Sequence, residues 1–245
     1  ANGQLGIALR EVFPQASFSS RAELDVTDQV AMAQWPWHEY DTVINAAAYT
    51  AVDEDETLTG RRDAWNANAQ AVRNVAAICT EHKITLVHVS SDYVFDGTKI
   101  GEYSEADEVS PLGVYAQTKA AGDIAASTTP KYYIVRTSWV IGEGNNFVRT
   151  MAGLADRGVK PSVVDDQVGR LSFTPDIAAA IAHLLAVKAP FGIYNLTNSG
   201  APSSWFNIAQ RIYDLTGHQA AEVSGVSTET YYEGEISLPM YPDLT

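Results

Sequence analysis

Short runs of apolar and β-branched residues alternate with longer stretches that have helical spacing, and this alternation constrains the fold most. The strand-like runs are residues 16–19, 42–45, 85–90, 132–137 and 192–195. The stretches with helical spacing are residues 61–82, 114–126, 147–157, 177–187 and 203–216. Such alternation favours parallel strands, because a chain returns to the same edge of a sheet through a crossover helix. We therefore expect an α/β fold with a doubly wound parallel sheet.

Two parts of the chain differ in pattern. Residues 1–140 carry most of the alternation and predict the sheet domain, whereas residues 141–245 are looser and predict a smaller lobe. The 245 residues, 46% of them hydrophobic, suffice for one such domain with a lobe. Residues 172–197 resume the helix and strand pattern, so we expect them to return to the sheet domain. The lobe should therefore be interleaved with that domain.

Composition disfavours several kinds of partner. The formal net charge of -14 disfavours a nucleic-acid backbone or an anionic membrane. No apolar run has transmembrane length, and the five histidines have no zinc-binding spacing.

The acidic run 53–56 predicts the start of the helix that ends at His82, with carboxylates at the positive end of the helix dipole. The single cysteine, Cys79, fits a packed helix face in a reducing compartment, so we expect a cytoplasmic protein without a metal site.

A tyrosine and a lysine four residues apart indicate carbonyl chemistry. Tyr115 and Lys119 fall in the predicted helix 114–126, so they share one face about one turn apart. An ammonium beside a phenol favours the phenolate and lowers the pKa of the tyrosine, which suits a proton donor. Ser91 follows the strand 85–90, at the sheet edge where ligands of such folds bind. We predict that these three residues act on a carbonyl; a surface Tyr/Lys pair and a turn serine are the alternative.

The first residues have the pattern of a phosphate-binding loop. Gly3 and Gly6 frame the sequence GQLG ahead of a helical stretch, as in the turn that holds a dinucleotide pyrophosphate. The strand that precedes such a turn is absent from the sequence. We therefore expect about ten further residues, or a fused upstream domain, ahead of Ala1.

Taken together, these motifs resemble the dTDP-4-dehydrorhamnose reductases, a family of the extended short-chain dehydrogenase/reductase superfamily, over nearly the whole chain. The matching stretches are residues 3–6, 23–28, 43–53, 90–97, 115–119, 136–139 and 164–169. The resemblance implies a Rossmann domain that transfers hydride from NAD(P)H to the C4 ketone of dTDP-4-dehydrorhamnose. The product, dTDP-L-rhamnose, would place the protein in nucleotide-sugar and cell-surface polysaccharide synthesis.

The resemblance also implies a role for each matching residue. Tyr115 would donate the proton, Lys119 would bind the nicotinamide ribose, and Ser91 would assist at the carbonyl. The predicted cofactor contacts are Gly3, Gln4, Leu5, Ser20, Arg21, Asp25, Val26, Ala46, Ala47, Ala48, Tyr49, Ser90, Tyr115 and Lys119. The predicted substrate contacts are Ser91, Asp92, Tyr93 and Trp139. An indole face suits the apolar methyl of a deoxysugar, and a core tryptophan is the alternative for Trp139.

Cofactor choice depends on residues 19–21, Ser-Ser-Arg, at the end of the strand predicted at residues 16–19. This strand would be the second of the fold, after the absent strand that precedes the phosphate-binding loop. An acidic residue there would hold the ribose of NAD and repel a 2′-phosphate. Hydroxyls and a guanidinium can instead bind a phosphate, because they donate hydrogen bonds to its oxygens. We therefore expect NADPH to be used at least as well as NADH.

Three positions depart from the family pattern. Residues 170–173, RLSF, replace a common Gly-x-Pro-Thr run, which puts the nucleotide end of the pocket in question. Residues 239–245 lack the arginine of the family's Arg-Pro segment. Ala8 stands where some members carry a glutamate that bridges a dimer through magnesium. Whether the protein forms a homodimer is therefore an open question, and we expect no metal ion.

Two other functions remain open besides the reductase. A nucleotide-sugar epimerase or dehydratase shares the fold and the Tyr/Lys pair, but it retains NAD and consumes no NADPH. A regulatory subunit with the reductase fold, like one associated with methionine adenosyltransferase, would co-purify with a partner and show no turnover. The presence of Tyr115, Lys119 and Ser91 favours the reductase.

Overall fold

Helices and strands alternate along the chain in a computed structural model, which describes residues 1–52, 54, 56–232, 238 and 242–245. The helices are α1 Gln4–Val12, α2 Gln29–Gln34, α3 Leu58–Trp65, α4 Ala71–His82, α5 Val114–Ser127, α6 Phe147–Asp156, α7 Thr174–Ala186, α8 Trp205–Leu215 and α9 Thr228–Tyr231. The strands are β1 Thr42–Asn45, β2 Thr85–Ser91, β3 Tyr132–Thr137, β4 Val140–Ile141, β5 Ser162–Val164, β6 Val168–Gly169, β7 Ser172–Phe173, β8 Gly192–Leu196, β9 Ser203–Ser204 and β10 Ser224–Val226.

The central sheet has four parallel strands in the order β1, β2, β3, β8. Asn45 pairs with His88 across the first two strands, and Ser91 pairs with Thr137 across the next two. Because the strands are parallel, their carboxyl ends meet at one edge, which is where ligands bind in such sheets. The predicted α/β class is therefore confirmed.

Apolar side chains cover both faces of this sheet. Leu86 and Ile134 pack with α4 on one face, whereas Val87 and Val135 pack with α1 and α7 on the other. Neighbouring residues serve opposite cores because strand side chains alternate between the faces. Cys79 is fully buried in the first core, where burial raises the pKa of its thiol to about 12. The prediction that Cys79 lies on a packed helix face is confirmed.

A smaller core lies beside the sheet, among α6, α8 and β5. Met151, Val163 and Ile212 are buried there. Tyr213 is also buried in it, and its hydroxyl donates to the carbonyl oxygen of Val159 at 2.6 Å. No helix in the described part of the chain is both long and apolar enough to cross a membrane.

The strand predicted at residues 16–19 does not form. Among the described residues it joins no ladder, and the amino group of Ala1 donates to the carbonyl oxygen of Ser19. An extended run becomes a strand only when a neighbour pairs with its backbone groups, so composition alone was insufficient.

One predicted helix start is wrong, and one predicted helix cap is absent. The helix expected to begin within residues 53–56 starts at Leu58, because the hydroxyl of Thr57 caps the amide of Gly60. Asp53 and Asp55 lie outside the described residues. Residues 174–176, Thr-Pro-Asp, have the pattern of a capped helix start with proline in the first turn. Helix α7 does begin at Thr174 with proline in its first turn, but Phe173 precedes it without a side-chain cap.

Helices α3 and α4 run into each other through a π-helical turn, Asn66–Gln70. Such turns carry one extra residue and often occur at functional sites. Gly122 of α5 packs directly on this turn, where a Cβ atom would overlap the carbonyl oxygen of Asn68. The same Cβ would lie 3.3 Å from Nε2 of His88, so α5 approaches this closely only with glycine there.

We expect Gly122→Ala to lower the free energy of unfolding by about 1–3 kcal/mol, because the added methyl collides with backbone. Gly153→Ala on α6 is the matched control, since its Cβ would lie 3.4 Å from the flexible Arg157 side chain. That control should gain up to about 1 kcal/mol from helix propensity. Urea unfolding followed by circular dichroism measures both variants. Equal effects of the two substitutions would contradict the close approach.

Candidate active site

The three predicted catalytic residues lie at the end of β2 and in the first two turns of α5. Ser91 closes β2, Tyr115 lies in the first turn of α5, and Lys119 lies one turn further along it. The rings of Tyr93 and Tyr115 meet edge to face, with centroids 5.7 Å apart and planes 84° apart. The turn after Ser91 therefore packs against the first turn of α5.

Lys119 is fixed at the end of the sheet. Its side chain is 2% exposed, and Nζ donates to the carbonyl oxygen of Val89 at 2.7 Å. Burial lowers the pKa of Lys119 to about 8, and the charge of Asp123 opposes that change. An ammonium carries three N–H groups, so the bond to Val89 leaves two that can bind a ligand.

A buried polar network lies behind Lys119. Asp123, one turn further along α5, accepts from Nε of Arg136 at 3.1 Å. Its other oxygen lies 3.9 Å from Nε2 of His88, whose Nδ1 is 3.3 Å from the side-chain amide of Asn45. Burial and the charge of Lys119 keep the pKa of His88 well below its usual value, so the imidazole is neutral. Arg136 is therefore the cation that pairs with Asp123 from β3.

Ser91 is hydrogen-bonded within its own turn. Its hydroxyl donates to Oδ1 of Asp92 at 2.9 Å and accepts from the amide of Tyr93 at 3.2 Å. Asp92 is only 1% exposed, so its carboxyl group is shielded from water. Ser90 is also buried, and its side chain lies on the opposite face of β2. The predicted ligand contacts of Asp92 and Ser90 stay predictions.

The predicted phosphate loop forms the start of α1. Gly3 is the residue before this helix, and Gln4 begins it. The side chain of Gln4 accepts from the amide of Gly142 at 2.7 Å, which fixes the loop after β4 against α1. Leu5 packs into the core with Ala8. Amides in the first turn of a helix have no acceptor within it, so this helix start can bind an anion.

The residues predicted to select the cofactor lie in one exposed turn. The amide of Ser20 donates to Glu23 at 2.7 Å, and Nε of Arg21 lies 3.1 Å from Asp25. The Arg21 side chain is 86% exposed, so its guanidinium is accessible to a phosphate. Hydrogen bonds from Thr27 hold the pKa of Asp25 below its usual value.

Two further segments of the predicted cofactor site are placed by the fold. Val26 packs at the edge of the core under β1. Residues 46–48 follow β1 directly. Asn68 fixes the backbone of Tyr49 by accepting from its amide at 2.8 Å and donating to its carbonyl oxygen at 3.0 Å. Asn68 also donates to the hydroxyl of Thr118, which connects this segment to α5. The sequence pattern missed Asn68, because nothing in it signals the π-helical turn.

Trp139 is enclosed, where the sequence predicted a sugar contact. Its indole stacks on that of Trp205, with ring centroids 3.7 Å apart and planes 14° apart. A Cβ on Gly169 would lie 3.0 Å from the same indole. Trp139 is 8% exposed and has a left-handed φ of 38°, a strained conformation that functional sites often retain. Its contact with a sugar stays a prediction, and Trp205 was not predicted at all.

Two comparisons with known proteins decide the family. The profile described as "RmlD substrate binding domain" matches residues 1–237. The dTDP-4-dehydrorhamnose reductase of Aggregatibacter actinomycetemcomitans is 36% identical over 228 residues, 87% of this chain and 76% of that protein. The chain belongs to the dTDP-4-dehydrorhamnose reductase family. The family predicted from the motifs is therefore confirmed.

Two other proteins extend the comparison within this reductase family. A dTDP-4-keto-6-deoxy-D-glucose reductase of Streptomyces niveus is 35% identical over 221 residues, 89% of this chain and 75% of that protein. The crystal structure of a dTDP-4-dehydrorhamnose reductase from Bacillus anthracis in complex with NADP has a TM-score of 0.89 and 33% identity. That match covers 100% of this chain and 87% of the Bacillus chain.

The departure from the reductase family at residues 170–173 has a structural effect. Arg170 forms ion pairs with Glu102 at 2.6 Å and with Asp243 at 3.2 Å. It also donates to the carbonyl oxygen of Leu244 at 3.3 Å, and its own carbonyl oxygen accepts from Ser138 at 2.7 Å. The arginine therefore joins the loop after β6 to residues 242–245, which we call the carboxy-terminal segment.

The carboxy-terminal segment packs against the residues that follow the turn at Ser91. The amide of Tyr103 donates to the backbone carbonyl oxygen of Asp243, and the amide of Thr245 donates to the backbone carbonyl oxygen of Tyr103. Leu244 is fully buried against Val94 and Phe95, which follow the turn at Ser91. Residues 239–241, where the family's Arg-Pro motif would fall, lie outside the described residues.

Within the described ranges, no cluster of histidine, cysteine and acidic side chains could hold a metal ion.

Proposed function

We propose that the protein reduces the C4 ketone of dTDP-4-dehydrorhamnose to dTDP-L-rhamnose, with NADPH as reductant. Membership of the reductase family supports the reaction, and the NADP bound to the Bacillus anthracis relative supports the cofactor. The observation that carries the proposal is that Lys119 of α5 donates to Val89 of β2, while the ring of Tyr115 packs against Tyr93, two residues after Ser91.

The proposed reaction needs one hydride and one proton. NADPH supplies the hydride to C4 of the sugar. In our proposal the phenol of Tyr115 gives its proton to the ketone oxygen, so the carbonyl becomes an alcohol and the tyrosine becomes a phenolate. Lys119 stabilises that phenolate and binds the nicotinamide ribose, because its ammonium is fixed on Val89 at the same edge of the sheet. Ser91 donates a hydrogen bond to the ketone oxygen and orients it.

We also propose that the sheet domain binds the cofactor and the lobe binds the sugar nucleotide. Residues 1–140 and 172–197 would form the former, because α7 packs on α1 and β8 pairs with β3. The rest of residues 141–245 would form the lobe, which has a core of its own.

A spectrophotometric assay of NADPH oxidation tests the reaction. The purified protein is given freshly prepared dTDP-4-dehydrorhamnose or dTDP-4-keto-6-deoxy-D-glucose, the second because of the Streptomyces niveus relative. Turnover of the first sugar supports the proposal, and turnover of the second alone would reassign the substrate. Bound cofactor without turnover of either sugar would favour a regulatory subunit. Cofactor that survives gel filtration, with no net NADPH use, would favour an epimerase.

We expect Arg21→Gln to weaken NADPH binding about tenfold, which is ~1.4 kcal/mol, and to leave NADH binding unchanged. The reason is that only NADPH carries the 2′-phosphate that this exposed guanidinium would bind. Calorimetric titration with each cofactor measures both affinities. Arg62→Gln is the control, because Arg62 is 72% exposed and likewise has an acidic partner, Asp63. An equal loss for both cofactors would contradict this role of Arg21.

A further inference from the structure

Asp92 has an unusual environment for an acidic residue. The residue is 1% exposed, and one carboxyl oxygen, Oδ1, accepts from the hydroxyl of Ser91 at 2.9 Å. The other oxygen, Oδ2, is buried with no hydrogen-bond partner among the described residues. Burying an ionised oxygen without a partner is costly, and a bound proton relieves that cost.

Among the charged groups near Asp92, Asp243 favours a bound proton, whereas Arg170 and Lys119 are engaged with other partners. Asp243 of the carboxy-terminal segment is the nearby acid, and Arg170 is shared between Asp243 and Glu102. On α5, the ammonium of Lys119 is bound to the carbonyl oxygen of Val89. Burial raises the pKa of Asp92 to about 7, against hydrogen bonds from Ser91 and from the backbone amides of Asp92 and Tyr93, and the charge of Asp243 adds a smaller rise.

The hydroxyl of Ser91 has one proton and two lone pairs. The amide of Tyr93 donates to one lone pair at 3.2 Å. When Asp92 is ionised, it accepts the only proton of Ser91, and the serine has no donor left for a ketone. When Asp92 is protonated, its O–H can donate to the second lone pair, and the serine proton is then available to the substrate.

We propose that Asp92 is a positioning residue that acts in its protonated form: it donates to Ser91 and so makes the serine a hydrogen-bond donor to the substrate ketone. This proposal rests on the proposed reduction, and it differs from a direct contact between Asp92 and the sugar. Anionic cofactor and substrate strengthen the effect, because nearby negative charge favours the protonated carboxyl.

A pH dependence follows from the protonated role. Reduction needs the proton on Asp92, so kcat/KM is full below the pKa of Asp92 and falls as pH rises through it. The fall should approach tenfold per pH unit until the reaction proceeds without the hydrogen bond of Ser91. Loss of one good hydrogen bond to the ketone sets that lower limit about 10²-fold down.

Asp92→Asn tests the proposal directly, because an asparagine amide donates to Ser91 at every pH. We expect this variant to keep at least roughly a third of wild-type kcat/KM at pH 6 and to lose the fall near neutral pH. Above pH 8 it should exceed the wild type. Asp243→Asn removes the neighbouring charge, so it should move the wild-type fall to lower pH by about half a unit.

Asp96→Asn is the matched control. Asp96 lies four residues further along, and Thr98 holds it as an ionised carboxylate with a lowered pKa. The pH dependence of kcat/KM in this variant should match that of the wild type. An Asp92→Asn enzyme that keeps the wild-type fall, or that loses activity equally at every pH, would overturn the proposal.

A second measurement needs no substrate, so it separates this proposal from the proposed function. Carbon-13 NMR of labelled aspartate carboxyls, with NADP present, gives the pKa of Asp92 in the wild type. The signal is assigned by its loss in Asp92→Asn or, if that variant does not fold, in Asp92→Glu. A pKa near 7 supports the proposal even if the sugar substrate is wrong. A pKa below about 5 refutes it, because the carboxyl would then be ionised at every working pH.

Discussion

Tyr115→Phe should lower kcat for the proposed reduction about 10³-fold, with a much smaller effect on NADPH affinity and none on thermal stability. A positioned general acid contributes typically 10²–10⁴-fold, and phenylalanine lacks the proton that the ketone oxygen receives. The phenyl ring can keep the edge contact with Tyr93, whose centroid lies 5.7 Å from that of Tyr115. Lys119 keeps its bond to Val89, so the cofactor site should stay intact.

Tyr132→Phe is the control for that experiment. Tyr132 begins β3, so it lies at the amino ends of the strands, away from the carboxyl ends where Ser91 lies. Both variants are compared with the wild type in NADPH oxidation with dTDP-4-dehydrorhamnose. Thermal unfolding and NADPH titration show that each one is folded. A Tyr115→Phe enzyme within tenfold of wild-type kcat would assign the proton to another donor.

Asp123→Asn should lower the free energy of unfolding by about 3–5 kcal/mol, because it leaves a buried guanidinium without its counter-charge. The side chains of Arg136 and Asp123 are 4% and 7% exposed, so water cannot replace the lost partner. His88 is neutral and cannot compensate. For a chain of this size the melting temperature should fall by roughly 10 °C.

Asp107→Asn provides the matched comparison for this stability effect. Asp107 also forms a short ion pair, at 2.7 Å with Lys99, but the two side chains are 28% and 39% exposed. Exposed pairs of this kind contribute about 1 kcal/mol or less. Differential scanning calorimetry of the two variants should therefore separate them clearly. A similar small change in both would mean that burial does not govern the Asp123 pair.

Local patterns predicted the strands of the central sheet and the helix that carries Tyr115 and Lys119. The strands at residues 42–45 and 132–137 have the predicted bounds, because a short β-branched run between helices has few other structures open to it. Tyr115 and Lys119 could be placed on one helix face from their spacing alone. Residues 16–19 show the limit of such reasoning, because a strand also needs a partner that no local pattern supplies.

The parts of the site that the sequence did not predict depend on distant contacts. Asn68 reaches Thr118, 50 positions away, and Arg170 reaches Glu102 and Asp243, 68 and 73 positions away. Trp205 stacks on Trp139 across a similar gap. Periodicity and spacing describe neighbours within one element, so they carry no information about which elements meet.

The carboxy-terminal segment imposes an order on biosynthesis. Tyr103 is hydrogen-bonded to Thr245, 142 residues later, and Leu244 fills the space behind the turn at Ser91. At about 5–20 residues per second, a ribosome needs roughly 7–30 s to make the intervening chain. During that interval the strands of the sheet can assemble, while the turn at Ser91 still lacks its packing against Leu244. A nascent chain that has not yet reached residue 244 therefore holds Ser91 in a turn that is not yet fully packed.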